Sequence, residues 1–416
     1  MEKIKLFFLC DDIRSYSGVS NQGNKLLLGL QKTGKYEIIH GAVAIPHNKT
    51  PFTGKFYNYS GIKCYNLPSY PNKAGHEQII DWILNTEKPD IFICFGDPRF
   101  FTYLFLRDSE IRTKCKFIFY HTWDNEPFPA FNIPWYRACD SVITISKLAN
   151  KLLLEGGVEN EYIPHGGDPS EFYKLSDEII KEEKNRLLNQ MALQFPITPS
   201  HKIVFWNNRN LRRKRPLDVI KSFGDYYLQH KNAVLLMHTD PVSLNDGVDL
   251  LNYQSTLYNG EIPVAFSTEK IDSQRLNLLY NIADVTINIA HSEGFGLCVL
   301  ESLLAETPVI ATKTGGMSEQ MKDCCTIFGR LLEPDVRHLS GTALAPYIYE
   351  DYVSSASVSN ALNILTDPNI NKLGKLGRDH IITNYHINDT VLKWDTLLEK
   401  IHKRKSHFER FKLFEI

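Results

Sequence analysis

The chain has 416 residues, with 47 lysines and arginines against 48 aspartates and glutamates, for a formal net charge of −1. That length suggests two or three domains, and a composition 43% apolar and 23% charged excludes wholesale disorder. Balanced charge argues against a protein held to nucleic acid by a global positive field.

The first residues, MEKIKLFFLCDD, carry two lysines and a short apolar run. Positions 6–10 are too few for a signal-peptide core, and Asp11-Asp12 ends the run, so 4–10 reads as a buried strand. Ser17-Gly18-Val19 separates that strand from a helix predicted over 25–31, which Lys32-Thr33-Gly34 stops. Strand-like runs recur at 37–44, 91–95, 116–120 and 141–145, with helical stretches such as 77–84 between some of them. Alternation of this kind points to parallel βαβ units.

The stretch 176–194 is charged and without strand character, and Pro196-Ile197-Thr198-Pro199 then breaks the chain. The domain boundary is placed there, giving an N-terminal domain over 1–190 and a C-terminal one over 198–387. In the second half, strands are predicted at 202–206, 232–237, 264–266, 285–289 and 308–312, and helices at 216–227, 273–282 and 297–305. Two open α/β domains of similar size predict a deep cleft between the carboxyl ends of their sheets. At the end of the chain Val391, Trp394, Leu398 and Ile401 share one helix face. Phe408, Phe411 and Phe414 continue at three-residue intervals among Lys405, Arg410 and Lys412. A terminal helix packed on the domains and an interfacial membrane helix both fit that pattern. No run approaches about 18 uninterrupted apolar residues, so no transmembrane span is predicted.

The eight cysteines, at 10, 64, 94, 115, 139, 298, 324 and 325, form no CxxC pair and no zinc-like spacing. They read as reduced, buried thiols of a cytosolic protein.

Three segments carry chemistry. Arg209-Asn-Leu-Arg-Arg-Lys214-Arg-Pro216 joins a strand to a helix that Pro216 can open without losing a needed N–H. Helix-start amides favour an anion, and Arg209 with Lys214 could clamp a diphosphate. A solvated turn and a nucleic-acid patch are the alternatives. His291-Ser-Glu293-Gly294-Phe295-Gly296-Leu297 stands at a second strand-to-helix turn, with Glu301 about one turn into the helix. Its glycines let a ligand approach backbone amides, and its two carboxylates suit vicinal hydroxyls. They could instead hold a metal, but no histidine or aspartate lies at suitable spacing. Thr314-Gly315-Gly316 is a further nest of amides or a plain tight turn. In the first half, Tyr120-His121-Thr-Trp-Asp124 follows a strand, and His121 could donate a hydrogen bond or exchange a proton near neutral pH. His165-Gly166-Gly167-Asp168 could do the same or merely shape a turn.

Together these residues resemble the family 4 retaining glycosyltransferases of the GT-B fold. The resemblance rests on EGFGLCVLE with its two glutamates eight apart, on TPVIAT with TGG, on Arg209 and Lys214, on IPHGGD with Phe172, and on the SGV turn. It runs from about residue 10 to roughly 400. It implies an α/β protein of two Rossmann-like doubly wound domains, with a C-terminal helix over about 388–416 crossing back to the first. It implies that Arg209 and Lys214 hold a donor diphosphate and that Glu301 grips the ribose. Glu293, with Gly294, Phe295, Gly296 and Leu297, would line the donor sugar, and Gly18 would let its loop approach phosphate and sugar. His121 would face the sugar. The family's aspartate often stands beside that histidine, but here it falls three residues later, at Asp124. Arg215 also departs from the family, standing where a glycine usually follows the lysine.

The expected activity is transfer of a hexose from a nucleotide-diphosphate sugar, GDP-mannose before UDP-glucose, to a glycan, lipid or protein-linked acceptor. Arg and Lys would stabilise the leaving diphosphate without a metal or other cofactor. No first-half carboxylate is singled out as a nucleophile, so retention would proceed by same-face attack assisted by the donor phosphate. A nucleotide-sugar epimerase or hydrolase, and a nucleic-acid-binding module using the basic cluster, are the rival readings. The expected setting is cytoplasmic, with no nucleic-acid partner, while peripheral membrane contact and a homodimer are both compatible.

Overall fold

The computed structural model describes residues 2–43, 52–67, 69–70, 73–74, 77–244 and 246–404. The Phe408, Phe411 and Phe414 series lies outside the described residues. The chain divides into two compact units. One is Met1–Gly166 with Gly341–Ile348 and Ile387–Ile416, and the other is Gly167–Ser340 with Tyr349–His386.

The first unit is built on an eight-stranded sheet. Its strands are β1 (Ile4–Asp11), β2 (Tyr36–Val43), β3 (Tyr57–Tyr59), β4 (Ile62–Asn66), β5 (Ile91–Gly96), β6 (Lys116–His121), β7 (Ser141–Thr144) and β8 (Glu161–Tyr162). They lie in the order β8-β7-β6-β5-β1-β2-β4-β3, all parallel except β3 on β4. Central strands covered on both faces need unbroken apolar runs, and residues 6–10 and 91–95 are buried throughout. The chain leaves β1 towards β2 on one side and returns to β5 on the other. The loops after β1 and β5 therefore open at a topological switch point.

Helix α1 (Gly18–Lys32) begins seven residues before the predicted start at 25. Ser17 caps it, its hydroxyl accepting from the Ser20 amide at 3.0 Å. The first turns are too polar for an apolar period to reveal them. The C-terminal helix Ile387–His402 belongs to the same unit. It buries Trp394, Leu398 and Ile401, and Asp395 accepts from the Tyr36 hydroxyl at 2.6 Å and the Lys35 ammonium at 2.7 Å. Helix α1 yields room for it at Gly29, where a Cβ would stand 2.4 Å from a Val391 methyl.

The second unit starts at Gly167, so the predicted break between 190 and 198 is too late. The reason lies in the contacts of residues 173–191. The amides of Tyr173 and Leu175 donate to Asn277 and Asn281 at 3.1 and 2.8 Å, and Lys184, on α2 (Asp177–Met191), pairs with Asp284. Polar side chains fix this segment to the second unit, and hydrophobic periodicity carries no record of them.

The second sheet comprises β9 (Lys202–Asn207), β10 (Ala233–His238), β11 (Val264–Ser267), β12 (Val285–Asn288), β13 (Val309–Thr312) and β14 (Gly329–Leu332). Its order is β11-β10-β9-β12-β13-β14, parallel throughout. Here the switch point falls between β9 and β12. Their C-terminal ends lead into α3 (Pro216–His230) and α5 (Leu297–Leu304) respectively, and α4 (Ser273–Ile282) precedes β12. Strand β13 leads into the single turn α6 (Met317–Gln320), and a hairpin of β15 (Val336–Thr342) and β16 (Ala345–Tyr352) follows. Among the described residues no helix is long and apolar enough to cross a membrane.

Candidate active site

In the second unit the three sequence segments follow the neighbouring strands β9, β12 and β13, so one sheet edge gathers them. They are also tied to one another. The His291 amide donates to the Arg213 carbonyl at 2.9 Å, and the Gly316 amide to the Glu293 carbonyl at 3.2 Å. Arg213 adds a bond from its guanidinium to the Ser292 carbonyl at 3.1 Å. The Glu293 turn is thus held from both sides.

The glycines allow that closeness. Gly315 has φ +48°, and a Cβ there would lie 1.7 Å from the Glu293 carbonyl oxygen. Gly296 has φ +91°, and its Cβ would meet Met317 at 2.7 Å. Only glycine fits such positions. The Gly316 amide is therefore already engaged, and TGG serves chiefly to close one turn on the other.

The charged centre of this edge is Lys214 against Glu293, joined in an ion pair. Arg213 stands 3.8 Å from the same carboxylate. Burial alone would raise the Glu293 pKa, but Lys214 and Arg213 outweigh it and hold the carboxyl below its ordinary value. Burial draws Lys214 down against the opposing pull of Glu293. Arg209 is exposed and has no ion-pair partner among the described residues. The structure therefore joins Lys214 to Glu293 and leaves Arg209 open to solvent.

Glu301 lies one turn inside α5. The Tyr280 hydroxyl on α4 donates to it at 2.8 Å while accepting from the Asn207 side chain at 2.8 Å. Gly294, Phe295, Gly296 and Leu297 form the approach to α5, whose first-turn amides have no acceptor within the helix. Sequence reasoning missed Tyr280, Asn207 and Gln320. Gln320 donates to the Phe295 carbonyl at 2.5 Å and braces the turn from α6.

Arg215 neither adds charge to this edge nor faces solvent. It is buried, at φ +56°, and donates to the Val353 carbonyl at 2.8 Å and Asp218 at 3.0 Å. Its guanidinium also covers the Tyr352 ring, with 5.1 Å to the centroid. A glycine would relieve the backbone strain and lose the tether between α3 and the end of the β15–β16 hairpin.

In the first unit Gly18 opens α1 just beyond β1, and His121 ends β6, so both stand at the carboxyl edge of that sheet. His121 is fully buried, and burial pulls its pKa down to about 3. It is a neutral imidazole across physiological pH, which corrects the expected proton exchange near neutrality. Its Nε2 lies 3.4 Å from the Tyr136 hydroxyl, and Nδ1 has no partner among the described residues. Asp124 does not pair with it. The Trp123 ring stacks parallel to the imidazole at 6.0 Å, and the Asp124 charge acts on Arg99. His165 is likewise buried and neutral, bonded through Nδ1 to the Tyr120 hydroxyl at 2.8 Å. It is a core histidine. Among the described residues no group of three or more His, Cys, Asp or Glu is placed to hold a metal ion.

Two Rossmann-like units, each with candidate site loops at the carboxyl edge of a largely parallel sheet, define a GT-B glycosyltransferase fold. Residues 194–334, within the second unit, match the family model described as Glycosyl transferases group 1. Over 267 residues the chain is 28% identical to the alpha-monoglucosyldiacylglycerol synthase of Streptococcus pneumoniae, a match covering 64% of this chain and 57% of that protein. The chain thus spans little more than half the length of that relative. The sucrose-phosphate synthase of Thermosynechococcus elongatus superposes with a TM-score of 0.70 at 17% identity, over 96% of this chain and 99% of that one. The Anabaena protein HepE in complex with UDP-glucose gives 0.68 at 14% identity, over 95% and 100%.

Proposed function

We propose that the chain is a retaining glycosyltransferase that moves a hexose from a nucleotide-diphosphate sugar to an acceptor hydroxyl. The observation that carries this reading is the Lys214–Glu293 pair at the switch point, beside the start of α5 and the Tyr280-held Glu301. Lys214 takes the β-phosphate charge that develops as the sugar–oxygen bond breaks, and Arg209 is the exposed cation that closes on the diphosphate. Glu293 is relieved of part of its pairing when the phosphate arrives and turns to the sugar hydroxyls. Glu301 accepts from the ribose diol. His121, neutral and with Nδ1 unpaired, offers a hydrogen bond to a sugar hydroxyl and not a proton. Asp124 does not pair with His121, and attack on the same face, assisted by the donor phosphate, is the proposed route.

The burial of Lys214 and Arg215, both committed to internal partners, weighs against the rival reading of the basic cluster as a nucleic-acid patch. Of the two donors, the glucosyl relative and the UDP-glucose complex of HepE favour UDP-glucose over GDP-mannose. The same relative makes a diacylglycerol-type lipid the first acceptor to try, in a cytoplasmic setting where nucleotide sugars are at hand. The test is nucleoside-diphosphate release from each donor, with and without lipid vesicles bearing diacylglycerol, followed by NMR of the anomeric centre. Acceptor-dependent release with a retained anomer supports the proposal. Equal release without acceptor points to a hydrolase or epimerase, and an inverted anomer ends the retaining reading.

A further inference from the structure

The expectation of buried thiols holds for Cys10, Cys64, Cys94, Cys115 and Cys298, while Cys139 is half-buried. It fails for Cys324 and Cys325, which are exposed neighbours with their sulfurs 3.1 Å apart. They occupy a tight turn between α6 and β14. The amides of Cys325 and Thr326 both donate to one Asp323 carboxylate oxygen, at 2.7 and 2.6 Å. The Asp323 amide donates to the Thr326 carbonyl at 3.1 Å, and Phe328 ties back to Met321 at 2.8 Å. The turn is therefore mechanically continuous with α6. That helical turn carries Gln320 on the Phe295 carbonyl and Met317 against Gly296.

We propose that Cys324 and Cys325 form a reversible vicinal dithiol–disulfide site that loosens the Glu293–Leu297 turn when oxidised. The chemistry needs a small-molecule disulfide such as glutathione disulfide. One cysteine, as thiolate, attacks it, forming a mixed disulfide and releasing one glutathione thiolate. The adjacent cysteine thiolate then attacks the protein-side sulfur and releases the second. Two protein thiols lose two protons and two electrons, and one glutathione disulfide becomes two glutathione thiols.

Backbone geometry says what closure does. Adjacent Cα atoms sit about 3.8 Å apart across a trans peptide, whereas disulfide-linked Cα atoms usually stand about 4.4–6.8 Å apart. The ring closes only with backbone rearrangement at 324–325, which strips donors from Asp323 and drags on the end of α6. Exposed, strained disulfides have the more oxidising potentials and are the readily reversed ones. The site thus suits a switch and not a permanent staple. Its regulatory meaning rests on the donor-site reading above, but its chemistry does not.

The experiment equilibrates the full chain with a glutathione–glutathione disulfide mixture, quenches with acid, and measures intact mass and hydrogen exchange. The proposal expects loss of two hydrogens' mass, reversed by dithiothreitol, and retention of one glutathione by C324S or C325S. It also expects several-fold faster exchange in peptides covering 293–300 and 314–321 of the oxidised chain, absent from the C324S/C325S double variant. A wild-type chain that stays reduced or keeps glutathione on the cysteines overturns the disulfide. A disulfide that leaves exchange unchanged overturns the relay. Neither readout depends on nucleotide binding, so failure of the donor reading would not mimic either result.

Discussion

Lys214 and Glu293 neutralise each other across two loops that leave neighbouring strands, and both are largely buried. On the proposed reading, an anion entering at the start of α5 would compete with Glu293 for Lys214. Binding and release of a diphosphate would then be coupled to the freedom of the Glu293 carboxylate. Removing either partner has consequences for stability as well as for binding.

Lys214→Ala is expected to weaken a nucleoside diphosphate by about 30-fold or more, from about 2–5 kcal/mol for truncating one member of a desolvated charge pair. Binding of the parent nucleoside should hardly change. Calorimetry of the two ligands measures the difference, and equal losses would remove Lys214 from the phosphate site.

The same change leaves Glu293 with only the more distant, half-exposed Arg213. Destabilisation of about 1–3 kcal/mol is expected, and Lys214→Met combined with Glu293→Gln should be more stable than Lys214→Met alone. Urea unfolding of the three chains checks this. A double variant less stable than the single one would mean that the carboxylate is held by something other than the pair.

Glu301→Ala is expected to weaken ribonucleotides while leaving a 2′,3′-dideoxy analogue nearly untouched. Tyr280→Phe should act in the same direction and by about 10-fold, since it removes one hydrogen bond to a charged acceptor. If either variant weakens both analogues alike, Glu301 does not read the ribose.

Arg215→Gly sets two effects against each other. Relief of a left-handed non-glycine residue is worth about 1 kcal/mol, and the lost bond to Val353, the Asp218 pair and the Tyr352 contact together outweigh it. A net loss of about 1–2 kcal/mol is expected with donor affinity unchanged. A variant as stable as the wild type would mean the tether is inert.

Stability should fall between pH 7 and pH 5. Burial lowers His40 and His291 to about 4 and His121 and His165 to about 3. Unfolded histidine titrates near about 6.5, so between that value and the folded ones the unfolded chain binds more protons. Each group therefore favours folding above its unfolded pKa and withdraws that support as pH falls towards its folded pKa, by about 1–2 kcal/mol at pH 5. Thermal unfolding at several pH values shows this, and a Tm independent of pH from 7 to 5 would contradict the buried, neutral assignment.

What the sequence discloses depends on the kind of interaction. Glu293 and Glu301 are legible because their spacing falls across a strand-to-helix turn, and central strands such as β1 and β5 are legible because parallel burial demands apolar runs. Tyr280 is not, since its hydroxyl reaches Glu301 from another helix and nothing local marks it. The domain boundary is not legible either, because Asn277, Asn281 and Asp284 bind the 173–191 segment through polar contacts that leave no hydrophobic period. Glycines 315 and 316 fit either an amide nest or a tight turn from sequence, and nothing local shows that their missing side chains make room for Glu293 and Phe295. For His121 the sequence leaves hydrogen-bond donation and proton exchange both open, because burial, which fixes it as neutral, has no local signature.

The most direct test is calorimetric titration of the purified chain with UDP-glucose, GDP-mannose, UDP and GDP, without added metal. The account predicts selective binding of one sugar nucleotide together with its diphosphate, UDP-glucose first, and loss of that binding in Lys214→Ala. Absence of binding to all four, or binding that Lys214→Ala leaves intact, would contradict the placement of the donor at the Lys214–Glu293 edge.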